Sequence, residues 1–134
     1  MKPIVLPELR YRRLWLLSGL AIALCIAAVC LVPSRNLPTV NVSDKIEHAL
    51  AFALLAFWFG SIVVRHDFLW LALSLLAFGA LIELIQGWMG WGREADLLDL
   101  RADAIGIILG MLLAVTPLGR WARWLERLLG KAAP

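Results

Sequence analysis

Four apolar runs, each about as long as a membrane is thick, constrain this chain more than any other feature. They cover residues 14–32, 46–64, 68–86 and 97–118. A hydrocarbon core about 30 Å thick is crossed by about 20 residues at about 1.5 Å each. Inside lipid the backbone N–H and C=O groups have no water to bond, so a spanning run of this kind must be helical. With 62% of the residues hydrophobic and 17% charged, little sequence is left over for a soluble unit. The expected fold is therefore all-α: one domain over residues 1–134, built as a four-helix transmembrane bundle.

The first run follows Lys2, Arg10, Arg12 and Arg13, the flank of a secretory signal. A signal's apolar region ends after roughly 15 residues at a small-residue cleavage site. This run is longer and stops at Pro33, so it reads as a retained helix. Cys25 and Cys30 lie on different faces of it and read as small packing residues. Arg65-His66-Asp67 is so short a link that the second and third helices must be antiparallel neighbours.

Lysine and arginine sort unevenly between the two sides of such a bundle, which sets its orientation. One side carries nine: Lys2, Arg10, Arg12, Arg13, Arg65, Arg120, Arg123, Arg127 and Lys131. The other carries four: Arg35, Lys45, Arg93 and Arg101. Both termini are expected in the cytoplasm, N-in/C-in, and the basic tails read as topology signals rather than a nucleic-acid footprint. Beyond Pro117, Trp121, Trp124, Leu125 and Leu128 share one helical face and Arg120, Arg123 and Arg127 another. That pattern predicts a C-terminal interfacial amphipathic helix on the inner leaflet.

In this topology the start of the second helix, the end of the third and the start of the fourth meet at one membrane level. The second opens Asp44-Lys45-Ile46-Glu47-His48, with Asp44 and His48 one turn apart. Asp44 and Glu47 fit a capping box, but His48 sits about 6 Å deeper. Glu83 lies in an apolar stretch near the end of the third helix. A charge at mid-bilayer costs about 3 kcal/mol and less near the interface, so Glu83 must face protein, water or a cation. Gly79 precedes it by one turn, and Gln86 adds an amide on the same side. On the fourth helix Asp99, Asp103, Gly106 and Gly110 fall at offsets of four, seven and eleven, on one face. Gly79, Gly106 and Gly110 mark where helices approach closely. Asp96 and Asp99 fit the positive end of the helix dipole, whereas Asp103 is a full turn deeper. The first helix has no ionisable side chain in its apolar run other than its cysteines, and reads as scaffold.

These residues resemble the VanZ-like family of bacterial envelope proteins. The family's pattern is Asp-Lys-x-x-His at the start of one helix, Glu-x-x-Gln at the end of the next, an Arg in the loop, and Asp-x-x-x-Asn-x-x-Gly opening the last. Here these are Asp44-Lys45-Ile46-Glu47-His48, Glu83-Leu84-Ile85-Gln86, Arg93, and Asp99-Leu100-Arg101-Ala102-Asp103-Ala104-Ile105-Gly106. Asp103 stands where the family usually has Asn, which makes the site more acidic. The resemblance covers residues 44–110 and implies a multi-pass protein of the bacterial cytoplasmic membrane. The family's name-giving member is associated with resistance to the glycopeptide antibiotic teicoplanin.

The expected binding set is Asp44, Lys45, His48, Glu83, Gln86, Arg93, Asp99 and Asp103, at the outer membrane face. The first functional reading is a binding protein for an anionic lipid headgroup or a lipid-linked envelope precursor. Arg93 and Lys45 would meet phosphate oxygens, with Glu83, Asp99 and Asp103 orienting the cations. Acids outnumber bases there, so a phosphate would need an accompanying cation; His48 with Glu83, Asp99 and Asp103 suits Mg or Mn. The second reading is a lipid-modifying enzyme, a hydrolase or transferase with His48 and Glu83 as its acid/base pair. No nucleophilic Ser or Cys motif lies in the cluster, which disfavours covalent acyl transfer. Proton-linked transport is a third reading, although four helices are few for a pathway unless the chain forms homo-oligomers. The plainest alternative is that the charges pair only to fix helix packing.

Overall fold

The computed structural model describes residues 4–32, 44–89 and 95–131. Among these, five α-helices follow one another: α1 (Arg12–Leu31), α2 (Asp44–Ile62), α3 (Phe68–Met89), α4 (Leu97–Val115) and α5 (Trp121–Lys131). Short 3-10 turns at Arg65–Asp67 and Pro117–Arg120 lead into α3 and α5. Outside the helices, residues 4–11 run alongside the end of α2 through one isolated β-bridge, Val5 to Val63.

Prolines decide two of the helix ends. A residue before proline is pushed out of the helical region. Val32, before Pro33, is extended at ψ 133°, and Thr116, before Pro117, is extended at ψ 173°. α4 starts on an aspartate cap, the Asp96 side chain accepting from the Leu98 amide at 2.8 Å. α3 continues through Met89, past the expected boundary at residue 86, and its Gly87 lies close to Ala95.

α1, α2 and the stretch Arg65–Met89 are each long and apolar enough to cross a membrane. α4 reaches that standard only together with Pro117–Gly130, from which it is bent by 71°, so there are three or four such spans among the described residues. The distribution of side chains is that of a protein dissolved in lipid. Leu24 is 70% exposed and Trp88 89%, with Leu69, Trp70, Leu84 and Ile108 also outward. Meanwhile His48, Glu83, Gln86, Asp99 and Asp103 are buried. In water this arrangement would forfeit apolar burial; in lipid it does not.

α2 and α4 form the most extensive pairing, and α1 and α3 pack beside them. A Cβ at Gly106 would run into the Ala49 carbonyl oxygen, and one at Gly110 into that of Ala53. The two glycines thus let the α4 backbone lie directly against α2, as their spacing predicts. The core between the helices is Phe52, Leu55, Ala56, Leu75, Ile82 and Ile107.

The opposite end from the polar cluster is closed by segments distant in sequence. Leu6 donates its amide to the Ile62 carbonyl at 2.8 Å, and Val64 donates to Ile4 at 3.0 Å. Trp15, Trp58 and Trp121 stack against one another, with ring centres 4.7–6.2 Å apart. Ala122 and Leu125 of α5 join them over Val5 and Leu9. α5 therefore turns Trp121 and Leu125 onto protein and leaves Trp124 and Leu128 outward, so its apolar face is divided rather than given whole to lipid. The reason is Glu126, which accepts from the Arg10 amide at 2.7 Å, the Tyr11 amide at 2.9 Å and the Trp15 indole at 2.7 Å. It serves backbone donors at the start of α1 that the helix cannot serve itself.

Candidate functional site

The first turns of α2 and α4 and the last turns of α3 come together at one end of the molecule. Asp44 and Glu47 lie in the first turn of α2 and are exposed, while His48, one turn in from Asp44, is 3% exposed. Its Nδ1 lies 2.9 Å from Oδ1 of Asp103, which is 0% exposed. A carboxylate only accepts, so the imidazole donates through Nδ1. Asp103 reaches this position because residue 79 has no side chain: a Cβ at Gly79 would collide with its Oδ2. Gly79 on α3, His48 on α2 and Asp103 on α4 thus form one contact across three helices.

Glu83 is buried one turn beyond Gly79 and accepts from the Asp96 amide at 2.8 Å through Oε2. It therefore anchors the start of α4. The Lys45 ammonium sits between Asp96 Oδ2 at 3.0 Å and Asp99 Oδ1 at 3.2 Å. Asp96 is held below the ordinary carboxylate range by the Leu98 amide and then by Lys45. Gln86 turns away from the acids and donates to the Cys30 carbonyl at 2.8 Å, serving the last turn of α1.

Of the expected set, His48, Glu83, Asp99 and Asp103 are brought together in the interior, with Lys45 and Asp44 at its mouth. His48 is bonded to Asp103, because α4 lies directly on α2. Lys45 is held by Asp96 and by Asp99, one of the acids expected to orient it. Gln86 is committed to α1. Arg93 and the role expected of it lie outside the described residues. Two contacts of the cluster run through the Asp96 amide and the Cys30 carbonyl, backbone groups that no side-chain pattern reveals.

Three buried polar atoms around this cluster have no hydrogen-bond partner: His48 Nε2, Glu83 Oε1 and Asp103 Oδ2. Buried groups are ordinarily satisfied, so such atoms call for a ligand, an ion or water. A ring nitrogen of His48 and carboxylate oxygens of Asp44 and Asp99 all lie within 4.8 Å of one another, the spacing of a metal-ligand set. Beside them a cavity of about 210 Å³ opens between α1 and α2. Cys25, Ile26, Val29 and Ala51 form its apolar wall, and Asp44, Glu47 and His48 its polar one.

No known protein family, no curated protein and no solved structure matches this chain.

Proposed function

We propose that this chain is a bacterial cytoplasmic-membrane protein that binds the headgroup of an anionic lipid or lipid-linked envelope precursor at its polar end. In this reading it is a VanZ-like four-helix transmembrane bundle, N-in/C-in, with α5 at the inner interface and the polar end facing outward. The observation that carries it is the cavity between α1 and α2. One wall is apolar, the other holds Asp44 and His48, and a ligand that fills both has an apolar chain and a polar head. Pockets of this mixed kind use apolar walls for affinity and a few polar groups for orientation. Around the head, Asp44, Glu47, Glu83, Asp96, Asp99 and Asp103 outnumber Lys45 and Arg101, so an anionic head arrives with a cation.

The test is to purify the protein in mild detergent and identify copurified lipid by native mass spectrometry. A retained phospholipid or lipid-linked precursor is expected, and Val29→Trp, which fills the apolar wall, should displace it. Equal retention by wild type and Val29→Trp would place the lipid on the outer belt and defeat the proposal.

A second reading, an enzyme acting on such a lipid, is favoured by the His48 and Asp103 pair. A buried carboxylate that orients an imidazole is the arrangement of a general base. Turnover of the bound lipid, lost in His48→Gln, separates the enzyme from the binder.

A further inference from the structure

The Asp103 carboxylate accepts the hydrogen bond that His48 Nδ1–H donates, so in the neutral ring the lone pair is on Nε2, pointing away from that bond. Nε2 is buried and has no hydrogen-bond partner. A buried lone pair with no partner is an unsatisfied acceptor, costing about 1–3 kcal/mol. The same residue brings a ring nitrogen within 4.8 Å of carboxylate oxygens of Asp44 and Asp99. Metal-bound histidines almost always donate their other ring N–H to a carboxylate or carbonyl, which sets the tautomer and turns the second nitrogen toward the ion. The bond between His48 and Asp103 is of that kind, and it exists on helices that approach closely for independent reasons at Gly106 and Gly110.

We propose that Asp44, His48 and Asp99 form a three-ligand site for a divalent transition-metal ion of the manganese or zinc class, with Asp103 positioning the imidazole. The proposal rests on the polar end being a ligand site but not on the ligand being a lipid.

The donor set selects the class of ion. Imidazole suits zinc and its neighbours, and carboxylates suit manganese, so a mixed set with one nitrogen disfavours magnesium, which holds oxygen ligands and water. Charge favours occupancy too. Among the described residues, Asp44 and Glu47 from α2, Glu83 from α3, and Asp96, Asp99 and Asp103 from α4 lie around the site, with the cation Lys45 beside them. Three protein ligands leave a coordination position for a phosphate oxygen or water, as in open metal sites.

The experiment uses full-length protein in detergent, stripped with EDTA and titrated with MnCl2, ZnCl2 and MgCl2. Thermal unfolding and manganese electron paramagnetic resonance are the readouts. Manganese and zinc should raise the melting temperature at micromolar concentration and magnesium only at much higher concentration. Bound manganese should show the nitrogen coupling of one imidazole. Asp44→Asn and His48→Gln should abolish both signals, and Asp103→Asn should weaken affinity about 10–100-fold, the usual effect of losing a ligand's orienting partner. Asp67→Asn, at the other end of the molecule, should change nothing. If His48→Gln does not fold in EDTA, Asp44→Asn, altered at an exposed first-turn position, carries the test. Absence of stabilisation by either metal overturns the proposal. So does stabilisation without nitrogen coupling that survives Asp44→Asn, which would mean diffuse attraction to an acidic surface. Copurified lipid that persists in EDTA together with no metal binding would remove the metal and leave the lipid reading intact.

Discussion

Glu83 separates two duties that a buried carboxylate can have. Oε2 accepts the Asp96 amide at the start of α4, whereas Oε1 has no partner. A glutamine keeps an acceptor for the amide but loses the charge; a leucine loses both. Glu83→Gln should therefore keep the wild-type melting temperature within a few degrees and lose ligand binding. Glu83→Leu should also lose about 1–3 kcal/mol of stability, the cost of an unserved buried donor. Equal melting temperatures for the two variants would mean that the Asp96 bond holds nothing in place. At the far end, partial burial pushes the Glu126 carboxyl up, and the Tyr11 and Arg10 amides with the Trp15 indole outweigh it, so its pKa falls below the usual glutamate range. A depressed carboxylate contributes stability that is fully present above its unfolded pKa, about 4.3, and is lost as pH falls through the lower folded value. Hydrogen exchange at the Arg10 and Tyr11 amides should therefore accelerate as pH drops through that acid window, after correction for intrinsic rates. Glu126→Gln should show weaker protection already at pH 7 and no such step. His48, Glu83 and Asp103 were legible in the sequence because each interrupts an apolar run, where a polar residue needs a reason. Glu126 was not, because it stands among arginines on an amphipathic tail and its partners are mostly backbone amides.

At the scale of elements, the pairing of α2 with α4 creates the site, and its geometry is set by two missing side chains. Gly106 and Gly110 face the Ala49 and Ala53 carbonyls with no room for a Cβ. Gly106→Leu should push α4 off α2, separate His48 from Asp103 and cost more than the usual 1–3 kcal/mol of about one overpacked position, since the obstacle is backbone. The check is the melting temperature, together with disulfide crosslinking between cysteines at Ala49 and Gly106 neighbours such as Ile105. An unchanged melting temperature with metal or lipid binding retained would show that the close approach is not needed. This contact was legible because glycines four apart mark a packing face in lipid, and Pro33 likewise disclosed where α1 stops, whereas the fourth run, read to residue 118, overran the end of α4 at Val115. Which helix the glycines face was not legible: spacing gives a face, while the partner depends on the tertiary arrangement. The pairing of residues 4–6 with the end of α2 was hidden for the same reason, since a bridge needs so few residues that no alternation announces it.

Over the whole molecule, charge and packing divide the chain into two ends. Residues 4–11, the turn at Arg65–Asp67 and α5 are tied together through Val5, Glu126 and the tryptophan cluster, and with them lie Arg10, Arg65, Arg120, Arg123 and Arg127. The acids of the first turns of α2 and α4 lie at the other end with Lys45. Cytoplasmic flanks retain lysine and arginine, so the end that gathers residues 4–11 and α5 should face the cytoplasm and the acidic end should face outward. Reporter fusions at Asn36 and Gly90 should accordingly read as outside, and a fusion following Lys131 as inside. The geometry makes this a joint prediction rather than three separate ones. α5 and residues 4–11 share the Glu126 bonds, so they must lie on the same side, and α4 must then cross between Asp96 and Pro117. Outside signals at Asn36 and Gly90 with an outside signal after Lys131 would separate α5 from residues 4–11 and overturn this arrangement, Glu126 bonds included. A cytoplasmic signal at Asn36 would invert the molecule and turn the polar site toward the cell interior, where a cytosolic anion rather than an envelope lipid would be its ligand.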